Sequence, residues 1–243
     1  MRFAYLLALT SIACTGCGAP STSSMSSSIE NASTAAESSK GEEMIPGSQV
    51  RFRADAWADN WFALYVNGEK VGEDSVPITT ERSFNAESFE FTSTYPMTIG
   101  LEVKDYTENV SGLEYIGTDR QQVGDGGVMG QVVDLDRGTV VAVTNSSWRS
   151  YVVQSSPLNI ECVTSIDPLQ DCTSRETPIP NGWAATSFDD SSWTAASEFS
   201  AVDVDPKDGF NDITWDSASR FIWGADLKID NVVLLRLGRV SSP

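Results

Sequence analysis

Histidine is absent from all 243 residues. That removes Ser-His-Asp and Cys-His nucleophile systems, zinc sites that use imidazole, and the side chain that ordinarily titrates near neutral pH. Positive charge is scarce as well: 16 Lys and Arg stand against 34 Asp and Glu, for a formal charge of −18. A chain this acidic, with no basic patch, repels phosphate backbones, so nucleic acid is excluded as a partner. Its acidity suits a solvated surface or the binding of cations. Cysteine is limited to four residues, and no apolar run is long enough to cross a bilayer as a mature helix.

What is present begins with a targeting pattern. Arg2 forms a short basic start, and Phe3 to Ala13 (FAYLLALTSIA) is an apolar stretch that ends in small residues around Cys14 and Cys17. The order resembles a bacterial lipoprotein signal, in which the cysteine exposed by cleavage carries the lipid. Cys17 is the favoured position, because cleavage there discards Cys14 and leaves no odd thiol; Cys14 is the alternative. The expected organisation is therefore a signal over 1–17, a Ser/Thr-rich linker over 18–48 and a globular domain over 49–240. The linker buries too little apolar surface to offset the entropy of ordering, so it reads as a disordered tether. The expected location is the cell envelope, reached through the lipid anchor, with plain secretion as the alternative.

Trp61-Phe62-Ala63-Leu64-Tyr65-Val66 is an unbroken β-favouring run, read as a central strand covered on both faces. Asn67-Gly68 then predicts a type I′ turn, with Lys70-Val71 returning as its partner. Clean alternation marks further strands over 49–54, 88–92 and 97–104, the last with Met97, Ile99, Leu101 and Val103 on one face. Short strands follow over 131–133, 139–143, 148–153, 221–223 and 232–237. Residues 155–181 read as a long ordered loop, and 188–199 as holding one helical turn. Many short strands, many turns and no amphipathic helix predict an all-β antiparallel sandwich of jelly-roll type.

Two cysteines lie within the long loop, Cys162 and Cys172 in ECVTSIDPLQDC. In an exported protein they predict a disulfide, since two thiols without histidine make a poor metal site. Asp203, Asp205, Asp208, Asn211 and Asp212 crowd a ten-residue stretch around Gly209, a set of hard oxygens suited to a structural calcium ion or to a solvated acidic loop. Lys207 occupies the third ligand position and Gly209 falls one place late, so the stretch is not an EF-hand.

Three segments resemble galactose-binding-like β-sandwich domains, as found attached to glycoside hydrolases: ADNWFALYVNGEKVG, GWAATSFDDSSWTAA and SRFIWGADLKIDNVVLLR. The FDDSSW segment follows the Asn-Gly hairpin here, whereas the hydrolase-attached domains place it before, so the resemblance implies the fold more than any ligand residue. Asp189-Asp190-Ser191-Ser192 reads as a capped turn and Trp193 as a packing residue. Trp57, Trp148 and Tyr151 could stack on sugar rings while Asp59 and Asn60 bond hydroxyls, or the tryptophans could belong to the core, as Trp61 does on this reading. Acids abound, but no spacing selects a catalytic pair. The expected function is a non-catalytic carbohydrate-binding module of the cell envelope. A structural or adhesion domain that binds another envelope protein is the alternative, and a glycoside-active enzyme a more distant one.

Overall fold

Side chains alternate across a strand, and in Val50–Asp59 (β1) that alternation sends Phe52, Ala54, Ala56 and Ala58 into one core and Trp57 into another. The computed structural model describes residues 47–243. The signal segment with Cys14 and Cys17, and the tether up to residue 46, lie outside the described residues. In chain order the next strands are β2 (Trp61–Val66), β3 (Glu69–Glu73), β4 (Asn85–Ser93), β5 (Met97–Lys104), β6 (Leu113–Glu114), β7 (Gln122–Val123) and β8 (Gly127–Asp134). They are followed by β9 (Thr139–Val143), β10 (Arg149–Ser155), β11 (Arg175–Glu176), β12 (Thr194–Ala195), β13 (Ser197–Phe199), β14 (Phe221–Trp223) and β15 (Asp230–Val240).

Two antiparallel sheets result. The first runs β13-β14-β8-β1-β4, with β9 also on β8; the second runs β11-β10-β15-β5-β2-β3, with β12 on β10. Between them lie Phe52 from β1, Phe62 and Leu64 from β2, Ile99 and Leu101 from β5, and Val233 and Leu235 from β15, all buried. The expected sandwich is thus present, and the predicted face of Met97, Ile99, Leu101 and Val103 is the buried one. Each sheet also has part of its outer face covered. Trp57 is enclosed by Phe84, Phe210 and Phe221 on the first. Leu234 lies under Trp183 and Trp193 on the second.

Local signals behave as their chemistry requires. Asn67 and Gly68 adopt φ of 53° and 93°, the two left-handed positions of the β2–β3 turn. Cys162 and Cys172 are bonded, with Cα atoms 5.3 Å apart. Asp189 accepts the Ser191 N–H at 3.0 Å, and Trp193 is buried. Other expectations are corrected. The strand Trp61–Val66 is not central but next to the edge strand β3, and Trp61 is only half-buried, with the Lys104 ammonium 4.5 Å above its ring. The opening strand runs on to Asp59, because Ala56 and Ala58 keep the inward rhythm. The helical turn expected within 188–199 is displaced to Ala201–Val204, where Ser200 and Asp203 form a capping box. Residues 194–199 are instead drawn into pairing with β10 and β14.

Candidate cation site at one end of the sandwich

Asp59 closes β1, and the chain passes at once through Asn60 into β2 of the other sheet. Two registers meet there. Asp59 lies opposite Gly127 of β8, while Trp61 lies opposite Lys104 of β5. Asp105 and the turn that carries Asp125 are thereby brought beside Asp59. Asn60 pins the junction: its N–H donates to the Lys104 carbonyl at 2.8 Å and its amide donates to the Glu81 carbonyl at 3.1 Å. Its side-chain oxygen accepts the Tyr106 N–H at 2.6 Å. Gly124 lets the turn close, since a Cβ there would fall 2.0 Å from an Asp105 oxygen.

Oxygens of Asp59, Asp105 and Asp125 lie within 4.8 Å of one another. Asp59 and Asp105 are 1% and 4% exposed, and neither oxygen of either carboxyl accepts a hydrogen bond from the described residues. Burial, then Asp125 and Asp105, pushes the Asp59 carboxyl well above the usual carboxylate range. Asp105 is raised likewise by burial, then by Glu114 and Asp125; the Asn231 amide and Tyr106 N–H oppose the rise without reaching bonding geometry. Asp125 is raised by burial and lowered in part by Lys207. A fourth acid, Glu114 on β6, is buried and pushed up to about 7, chiefly by burial. It accepts the Gln122 amide at 3.1 Å.

Such an arrangement is unfavourable alone. Two like charges at these separations repel by about 3–4 kcal/mol at an effective dielectric constant of 20, and buried polar atoms without partners cost more. The acids must either hold protons or share a cation. The donor set is all carboxylate oxygen, with no nitrogen or sulfur, which suits calcium. Calcium takes six to eight oxygens at roughly 2.3–2.6 Å, so two oxygens across the ion stand about 4.8 Å apart.

The residues expected to bind sugar are dispersed. Trp57 is fully buried and its Nε1 donates to the Asp208 carbonyl at 3.0 Å; Trp148 is 3% exposed and its Nε1 donates to the Val143 carbonyl at 2.8 Å. Both are core, and neither offers a ring face. Asn60 is spent on backbone bonds, and Asp59 belongs to the acidic cluster. Tyr151 is half-buried on the second sheet, stacked 5.1 Å from Trp193. The expected calcium stretch does not assemble either. Among the described residues, the three aspartates above form the one cluster of metal-ligating side chains. Asp203 accepts the Ser200 N–H and hydroxyl at 2.9 and 2.6 Å as a helix cap. Asp205 and Asp208 are exposed in the turn after Ala201–Val204, and Asn211 and Asp212 are exposed in the short helical segment Phe210–Asp212. That stretch contributes Lys207 instead, 3.8 Å from Asp125. Asp105, Glu114 and Asp125 were not foreseen, for no local motif joins them; Gly124-Asp125-Gly126-Gly127 reads only as a turn. No known protein family, curated protein or solved structure matches the chain.

Proposed function

We propose that this chain is a non-catalytic binding module of the cell envelope whose sandwich end is organised by a calcium ion held between Asp59, Asp105 and Asp125. The observation that supports it is the pair of buried carboxyls, Asp59 and Asp105, whose four oxygens have no partner in the described residues although the neighbouring acids are close. A fold that buries acids ordinarily supplies their donors. Calorimetric titration of residues 49–243 with calcium, with magnesium as the control, tests the reading. A calcium-specific binding isotherm that Asp105→Asn abolishes is expected; equal weak responses to both ions, unchanged in the variant, would refute it.

Carbohydrate is the ligand class we propose for the module, on the resemblance of its three segments to galactose-binding-like domains. With Trp57 and Trp148 in the core, Tyr151 is the member of the expected aromatic set left partly accessible. A glycan array probed with and without calcium checks this, and no hit in either condition removes carbohydrate. The envelope address rests on the order of residues in Met1–Gly18. Intact-mass analysis of membrane-extracted protein is expected to find a lipid on Cys17, or on Cys14 if cleavage is earlier; an unmodified start removes the anchor.

A further inference from the structure

We infer that Lys207 sets the valence of the ion that the acidic cluster accepts, by supplying the one positive charge that, together with a divalent cation, balances the three aspartates. The inference rests on the cation-binding reading above and names what tunes that site. Among the described residues, Lys207 is the one whose ammonium comes within ion-pair reach of the triad, 3.8 Å from Asp125 Oδ2. At that distance it balances charge without donating a hydrogen bond, so the carboxylate oxygens remain free for a metal.

The ammonium is held there by its surroundings. It sits 5.2 Å from the centre of the Phe84 ring, and Phe84 stacks on Trp57, two residues before Asp59. On its N-terminal side Val204 is fully buried among Trp57, Met129 and Phe221. On its C-terminal side the Asp208 carbonyl accepts the Trp57 indole N–H, and Phe210 packs edge-on to Trp57 at 5.7 Å. Two anchors in one aromatic cluster thus fix the segment that carries Lys207 across the mouth of the site. Asp205, also 3.8 Å from the ammonium, is 83% exposed and so is well screened by solvent.

The charge arithmetic then discriminates between ions. With Glu114 uncharged, three ionised aspartates contribute −3 and Lys207 +1, so a divalent ion brings the group to zero and a trivalent one overshoots. Removing the ammonium favours any cation, and in proportion to its charge. Lys207 also lowers the Glu114 carboxyl, so the ratio of trivalent to divalent affinity reports the Lys207 charge when Glu114 is replaced by Gln in both members of the comparison.

The test is calorimetric titration of the full chain with calcium and with terbium, in the parent and then, on a Glu114→Gln background, with Lys207, Lys207→Gln or Lys207→Arg. In Lys207→Gln, calcium affinity should rise roughly tenfold and terbium affinity roughly thirtyfold, at moderate salt. Lys207→Arg should keep the ratio found with Lys207. If Lys207→Gln leaves the ratio unchanged, or weakens calcium binding, Lys207 acts through packing on Phe84 and the inference is overturned. A parent protein that binds neither ion overturns the cation reading itself, a result visible before any variant is made.

Discussion

The β1–β8 ribbon has a buried aspartate at each end, and the two are treated in opposite ways. Asp134, fully buried opposite Phe52, is completely bonded. One oxygen accepts the Tyr95 hydroxyl at 2.9 Å and Arg137 Nη1 at 2.8 Å, and the other accepts the N–H groups of Asp136 and Arg137, both at 3.0 Å. Asp59, 1% exposed opposite Gly127, has no donor among the described residues and two further acids beside it. The same strand pair therefore shows that this chain can satisfy a buried carboxylate from within, and at one end does not. The first end is complete in itself; at the second, the acids are left either to hold protons or to share a cation.

The sharpest way to break the contrast is at the satisfied end. Asp134→Ala leaves a half-buried guanidinium, a tyrosine hydroxyl and two N–H groups without their acceptor. It should cost about 3–5 kcal/mol in denaturant unfolding, with or without calcium. A cost below about 1 kcal/mol would mean that water replaces the carboxylate readily, and the contrast would lose its force.

At the other end, calcium should raise stability by mass action. A free concentration one hundredfold above the dissociation constant contributes about 2.7 kcal/mol, or roughly 5–10 °C in melting temperature for a domain of this size. Magnesium at equal ionic strength should give only the smaller shift that comes from screening the net negative charge. Identical shifts with the two ions would erase the distinction between the ends.

Without metal, the pH response should run opposite to that of ordinary paired carboxylates. Burial raises Asp59, Asp105, Asp125 and Glu114, the last to about 7. The folded state then holds more protons than the unfolded one. Their favourable contribution is fully present below the unfolded value near 4 and is lost as pH rises through the folded values. Stability of the metal-free protein should thus fall between about pH 5 and pH 7.5, on the order of 1–3 kcal/mol, and Glu114→Gln should flatten part of the slope. A melting temperature that climbs steadily over this window, in the absence of calcium, contradicts the desolvated cluster.

The smallest expected effect is also the most diagnostic. Asp105→Asn removes one buried like charge while keeping the shape, so the metal-free protein should gain about 1 kcal/mol as it loses its calcium response. A destabilised metal-free variant would mean that Asp105 has a partner after all.

Much of the fold was legible because its signals are local. Period-two alternation located most strands, Asn67-Gly68 specified a turn that needs two left-handed residues, and Asp189 specified a capped turn. The helical turn was misplaced because pairing of residues 194–199 with distant strands outweighed local preference, while Ser200 and Asp203 capped the next segment. The site was misread for a related reason. Acids crowded along the chain, as at Asp203–Asp212, are directed to solvent by a helix cap, a turn and a short helical segment, whereas Asp59, Asp105 and Asp125 meet only through strand register.

By itself, then, the sequence determined the class of the fold and the disulfide, since alternation, turn chemistry and a ten-residue cysteine spacing act over short stretches. It also excluded histidine chemistry outright. Tertiary structure alone decided that Trp57 and Trp148 are core, that Trp61–Val66 sits next to an edge, and that three distant aspartates share one buried corner. The reason is physical. Which strands adjoin, and in which register, depends on how two complete sheets bury their faces against each other, and no short window of residues contains that information.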